Sequence, residues 1–134
     1  DTLALKTKNN FKVINDKEHL KKLVKHCIKS KKLTFNIELT SENPFLSSII
    51  GFSFYDESKT GWYVPINFKK EIKNNFGLND LDYILKKLKP IFENKNSLKI
   101  AHNIKFLSIL LRNNSIFLNG NFFDIQLAAH LINP

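Results

Sequence analysis

The chain has 134 residues, 43% hydrophobic and 12% aromatic, with 21 cationic against 12 acidic side chains and a net charge of +9. That length fits one domain able to bury roughly two-thirds of its unfolded surface, and the apolar content excludes wholesale disorder. No apolar run approaches the roughly 20 residues of a membrane span, and the start, DTLALKTKNN, has no apolar stretch of signal-peptide type.

Phe11-Lys12-Val13-Ile14 is a short apolar strand candidate. Asp16 is placed to cap the helix that follows, where Leu20, Leu23, Val24, Cys27 and Ile28 recur at helical spacing with lysines on the other face. Cys27 is the only cysteine, so no internal disulfide forms, and the chain fits a reducing, cytoplasmic setting. Although Cys27 sits near Lys25, His26 and Lys29, it reads as a small apolar group on a helix rather than a reactive thiol.

Strands are predicted over Leu33-Thr34-Phe35-Asn36-Ile37-Glu38, over 48–55 and over 61–66, with the polar stretch 56–60 as a hairpin turn between the last two. Residues 67–78 are polar, lack a period and read as a loop. The apolar spacing of Leu81, Ile84, Leu85 and Leu88 predicts a helix over 80–93, bent or ended by Pro90. Leu98-Lys99-Ile100-Ala101 reads as a strand, 104–111 as a buried helix, Phe122-Phe123 as a strand-like step and 125–132 as a last helix. Strands and helices that alternate after an opening hairpin indicate a mixed α/β domain. With no repeat, linker or low-complexity segment, residues 1–134 are expected to form a single domain.

Only Arg112 among the cationic residues is arginine, and the chain is rich in Asn, Ile and Phe. A basic surface favours a phosphate backbone through counterion release. Drift toward lysine in an AT-rich genome gives the same total, so charge alone leaves both readings open. The chain also contains no methionine, even at position 1, and is expected to be part of a longer polypeptide.

Three stretches together resemble the 3′-5′ proofreading exonuclease domain of family A DNA polymerases. Phe35-Asn36-Ile37-Glu38 resembles an F-D-x-E-T strand, and Gly51-Phe52-Ser53-Phe54 with Trp62-Tyr63-Val64-Pro65-Ile66 resembles a G-x-S-F and A-Y-x-P hairpin. Over 81–134, Leu85-Lys86-Lys87-Leu88-Lys89-Pro90 resembles L-x-x-L-K-P, and His102-Asn103-Ile104-Lys105-Phe106 resembles [GQ]-N-x-K-Y-D. Residues 123–134 resemble F-D-T-x-L-A-x-Y-L-L-N-P. The resemblance implies a ribonuclease-H-like fold, a mixed and mainly five-stranded sheet flanked by helices. It also implies that the family's third motif, Y-x-x-x-D, lies beyond residue 134.

Active relatives hydrolyse phosphodiesters with two Mg²⁺ or Mn²⁺ ions about 3.5–4 Å apart. Such ions take oxygen ligands, and a D-x-E strand supplies two carboxylates on one face. The resemblance aligns Asn36 with the first Asp, matches Glu38, and aligns Leu107 with the second-motif Asp. Glu38 is then the one family ligand retained, and no metal cofactor is expected. Between Lys99 and Asn121 no Asp or Glu is available to substitute, and Asp124 matches a family Asp outside the ligand set, which reads as a helix cap. Asn36 alone is open to an engineered Asp→Asn exchange; Asn36 with Leu107 points to natural decay.

On the substrate side, Glu42 aligns with an apolar residue that wedges against the terminal base in relatives. His102, Asn103 and Lys105 keep polar character for weak DNA contact, with the alternative that Asn103 caps a helix and Lys105 is solvated. Of Trp62 and Tyr63, which are adjacent on one strand, at least one is expected in the core. His19, His26, His102 and His130 form no Ser/His/Asp or zinc pattern. The expected role is a catalytically silent exonuclease-like module of a DNA polymerase I. It would meet DNA through that polymerase in replication and repair, beside a polymerase domain in the same chain and away from membranes. The alternatives are an active proofreading exonuclease disabled by mutation or truncation, an RNA-trimming relative of the RNase D type, and a protein-interaction module.

Overall fold

The structure, a computed structural model, describes residues 11–41, 48–67 and 76–132. In chain order the elements are β1 (Phe11–Val13), α1 (Lys17–Cys27), β2 (Lys32–Leu39), β3 (Ile49–Asp56), β4 (Gly61–Asn67) and β5 (Phe76–Gly77). A 3₁₀ turn (Leu78–Asp80) leads into α2 (Leu81–Phe92), followed by β6 (Leu98–Ala101), α3 (Ile104–Asn113), β7 (Asn121–Asp124) and α4 (Ile125–Ile132).

The strands form one mixed sheet in the order β1-β4-β3-β2-β6-β7, with β5 pairing β4 off that path. β2-β3-β4 is an antiparallel meander, while β1, β5, β6 and β7 add in parallel. The sheet is flanked by helices, the ribonuclease-H-like arrangement anticipated from the motifs. It has seven strands rather than mainly five, because short segments at both margins join it.

β2 shows why the sequence folds this way. Leu33, Phe35 and Ile37 are buried, whereas Asn36 and Glu38 on the alternate positions stay exposed. Phe35 and Phe54 meet Phe92 of α2 at ring-centroid distances of 5.2 and 5.8 Å, which fixes that helix against the meander. α1 contributes Leu20, Leu23 and Cys27 to the same core. Burial and the charges of Asp56 and Glu57 push the Cys27 thiol up to about 12, so it is a neutral core group.

Two expectations hold in outline, the strand at 11–14 and the helix over 80–93, and two, the loop over 67–78 and the buried helix over 104–111, require correction. β1 carries an apolar pattern, yet Phe11 and Val13 are 52% and 55% exposed; it pairs β4 at the sheet margin, and Ile14 beyond it is the buried residue. Part of the expected loop 67–78 is strand β5, anchored by buried Phe76, and residues 68–75 lie outside the described residues. Pro90 does not end α2, which continues through Phe92. Pro90 and Lys86, whose carbonyl loses its donor, are both on the exposed side, so that carbonyl is not left in the core. Finally, α3 buries one side only, through Leu107, Leu110 and Leu111, with Lys105 exposed.

Candidate functional site

The sites begin at the caps. Asp16 Oδ1 accepts the His19 N–H at 2.8 Å and starts α1. Asn103 adopts φ of +61°, a left-handed conformation that Asn tolerates, and its Oδ1 accepts the Phe106 N–H at 3.2 Å to start α3. Asp124 joins two helix ends. Its carboxylate accepts the N–H groups of Asn103 (3.1 Å) and Ile104 (2.9 Å) at the β6-α3 junction, and of Gln126 (2.9 Å) and Leu127 (3.3 Å) in the first turn of α4. Burial alone would raise its pKa, but the four backbone donors outweigh it and hold the carboxyl below the usual range.

The register of β2 with β3 and β6 brings the motif positions together. Asn36, Ile37, Leu39, Thr40, Ser41, His102, Asn103, Phe106 and Leu107 line one cleft of about 790 Å³. Residues nearly 70 positions apart therefore share a wall because β2 and β6 run parallel, with Thr34 beside Ile100. The pairing slips between Glu38 and Leu39, where one residue of β3 is passed over, and Leu39 beyond the slip lines the cleft. Leu107 is 2% exposed and belongs to the core. Lys105 is exposed on α3 outside the cleft lining.

Glu38 has a partner that sequence reasoning did not assign. Tyr63 Oη donates to Glu38 Oε2 at 3.2 Å. To reach it, the phenol ring crosses Gly51, where a Cβ would stand 2.8 Å from Tyr63 Oη. Burial and the nearby Glu38 charge raise the Tyr63 pKa. Its neighbour Trp62 is buried, as the strand alternation required of one of the pair.

The cleft does not match the needs of a two-metal centre. Its described lining offers two amides (Asn36 and Asn103), an imidazole, hydroxyls and apolar side chains, and no carboxylate, where hard cations need several anionic oxygens. Among the described residues no three His, Cys, Asp or Glu side chains converge. Glu42 lies outside the described residues.

A second cluster was invisible in the sequence. His26 Nε2 lies 2.7 Å from Asp56 Oδ2, Ser30 Oγ donates to the same oxygen at 2.6 Å, and Ser58 donates to Asp56 through both Oγ and N. Burial alone would raise the Asp56 pKa, but the bonds from Ser30, Ser58 and His26 hold it low. Ser58, His26 and Asp56 do not form a nucleophilic triad. Ser58 Oγ, at 3.4 Å, faces the same imidazole nitrogen that binds Asp56, so the ring cannot pass a proton between them. No spacing in the sequence links residues 26, 30, 56 and 58; only the hairpin register does.

Comparison with known proteins places these features. A family model described as 3′-5′ exonuclease matches residues 11–134. The chain is 29% identical over 133 residues to DNA polymerase I of Borreliella burgdorferi, covering 98% of this chain and 14% of that protein. It is 28% identical over 120 residues to DNA polymerase I of Chloroflexus aurantiacus, covering 90% of this chain and 12% of that protein. The chain thus spans about one-seventh of the length of these curated relatives. Among solved structures, the catalytic core of RRP6 from Trypanosoma brucei aligns over 90% of this chain and 30% of that one, with a TM-score of 0.68 at 13% identity. That likeness carries the fold alone.

Proposed function

We propose that this chain, which belongs to the 3′-5′ exonuclease family of family A DNA polymerases, is a catalytically silent member acting as a structural and DNA-contacting module of a DNA polymerase. The observation that carries the reading is the composition of the cleft. Asn36 and Leu107 share it, and Glu38, two residues along β2 from Asn36, is not among its described lining residues and accepts a hydrogen bond from Tyr63. In this reading Asn36, Glu38 and Leu107 are the vestiges of the ligand set, and neither of the two lost carboxylates is replaced.

A carboxylate facing a divalent ion contributes several kcal/mol even at an effective dielectric of about 20. Loss of two leaves metal affinity at about millimolar or weaker. Leu107 cannot be converted into a ligand by a rotamer change, because it has no polar atom and is packed in the core. This favours decay over a working nuclease disabled at one position.

The structural role in replication and repair, the cytoplasmic setting and weak DNA contact by His102, Asn103 and Lys105 belong to the same reading. The similarity to two DNA polymerase I sequences across nearly the whole chain favours the polymerase branch over an RNA-trimming one. The test is incubation of the chain with an end-labelled single-stranded oligonucleotide in Mg²⁺ and in Mn²⁺. No shortening of the 3′ end is expected. Release of nucleotides that disappears in Glu38→Ala overturns the proposal.

A further inference from the structure

At the far end of β2 from the cleft lies a second recess, of about 460 Å³, between α1 and the β3-β4 turn. The Leu33–Asp56 pairing sits there, and five residues along β2 separate it from the Glu38–Gly51 pairing, a distance of about 17 Å along the strand. Lys22, Lys25 and His26 of α1 and Lys29 in the turn that closes it fall at helical spacing and line the recess with Ser58 and Glu57.

Two acids, buried Asp56 and exposed Glu57, share the lining, and both are engaged by hydrogen-bond donors. Asp56 is satisfied by Ser30, Ser58 and His26, and the Glu57 carboxylate accepts the N–H groups of Lys31 (2.8 Å) and Lys32 (3.2 Å). The ammonium groups are not committed. Among the described residues Lys25 and Lys29 have no ion pair, and Lys22 has one exposed contact with Glu18 at 3.9 Å, of a kind that contributes little. Lys31 and Lys32 are exposed beside them. His26 is held in place by Asp56 and by the Trp62 ring at 4.6 Å between centroids, with Nδ1 uncommitted.

A row of lysines around a fixed imidazole, whose carbon surface belongs to charged and polar side chains alone, offers no aromatic or aliphatic anchor for a protein partner and suits a regularly charged polyanion. From Lys22 to His26 the helix rises about 6 Å, and Lys29 in the following turn extends the row, enough to meet more than one phosphate of a strand. We infer that the face formed by Lys22, Lys25, His26 and Lys29 is a binding site for a nucleic-acid phosphate backbone, separate from the nuclease-type cleft. It rests on the DNA-contacting half of the reading above and is independent of catalytic silence.

The test is fluorescence anisotropy of a labelled oligonucleotide, single-stranded and duplex, titrated with the full chain over a salt series. Lys22→Gln/Lys25→Gln/Lys29→Gln is expected to weaken binding about tenfold and to lower the salt slope by about 2. The charge-matched Lys86→Gln/Lys87→Gln/Lys89→Gln on α2 is expected to change affinity less than about twofold. Glutamine is a good helix former, and circular dichroism of both variants checks their folding. Equal losses in the two triple variants overturn the site in favour of bulk charge. Loss confined to Lys105→Gln overturns it in favour of the cleft, and equal competition by polyglutamate overturns nucleic acid as the ligand. Absence of binding to any oligonucleotide removes the DNA-contacting reading as well, whereas wild-type binding that survives the triple substitution removes only this placement.

Discussion

Asp124 is the residue on which most local structure converges. One carboxylate receives four backbone N–H groups that would otherwise be left without partners at two helix starts. Asp124→Ala is expected to lower stability by about 2–3 kcal/mol in urea denaturation, and Asp124→Asn by roughly half as much, since the amide oxygen keeps some acceptors. Because the folded pKa lies below the unfolded one, this contribution is present above the usual aspartate range and fades as pH falls below about 4. The acid limb of the wild-type stability curve should therefore be steeper than that of Asp124→Asn. Lys99 gives the opposite sign. It is fully buried in β6, its ammonium donates to the Asn94 carbonyl, and burial pushes its pKa down to about 8 from 10.5. The unfolded chain then binds the extra proton between those values, so stability rises with pH across that window. Lys99→Met should flatten the rise in chemical denaturation measured at matched pH values.

At the scale of elements, β7 and α4 differ from the rest of the fold. Phe122 and Phe123 are 46% and 50% exposed, and Leu127, Leu131 and Ile132 are 61%, 78% and 84% exposed. The strand is anchored by its parallel pairing with β6 and the helix by Asp124, rather than by burial of apolar side chains. Several large apolar side chains exposed on two neighbouring elements favour association in water. The chain is expected to bind ANS in its native state and to self-associate as concentration rises, by light scattering. Leu127→Glu/Leu131→Glu should reduce both while changing stability by no more than about 0.5–1 kcal/mol.

For the whole molecule, the net charge of +9 is weakly compensated. Among the described residues there are four ion pairs; two involve histidine, and the two lysine pairs are at 3.9 Å on the surface. Self-repulsion among lysines should therefore outweigh attraction. Moving from low to physiological salt is expected to stabilise the fold by about 0.5–1 kcal/mol in thermal melts, whereas a fold held by ion pairs would lose stability. No described helix is long and apolar enough to cross a membrane.

The sequence alone determined the alternation of buried and exposed residues on β2, the caps at Asp16 and Asp124 and the family, and offered the Asn103 cap as one of two readings. These follow from short-range chemistry: side-chain period, hydrogen-bonding groups beside helix starts, and motif residues a few positions apart. It also placed Asn36 and Leu107 at equivalent motif positions, though not in one cleft. Tertiary structure alone decided the rest. The Tyr63 bond to Glu38 depends on an open path over Gly51, and the His26-Ser30-Asp56-Ser58 cluster depends on where a hairpin turn meets the end of α1. The edge roles of β1 and β5 depend on which strand remained free to pair. None of these has a sequence period, because each is a contact between segments whose separation is set by the packing of the sheet. The basic composition was legible from the first count of lysines; only the fold turned part of it into a face.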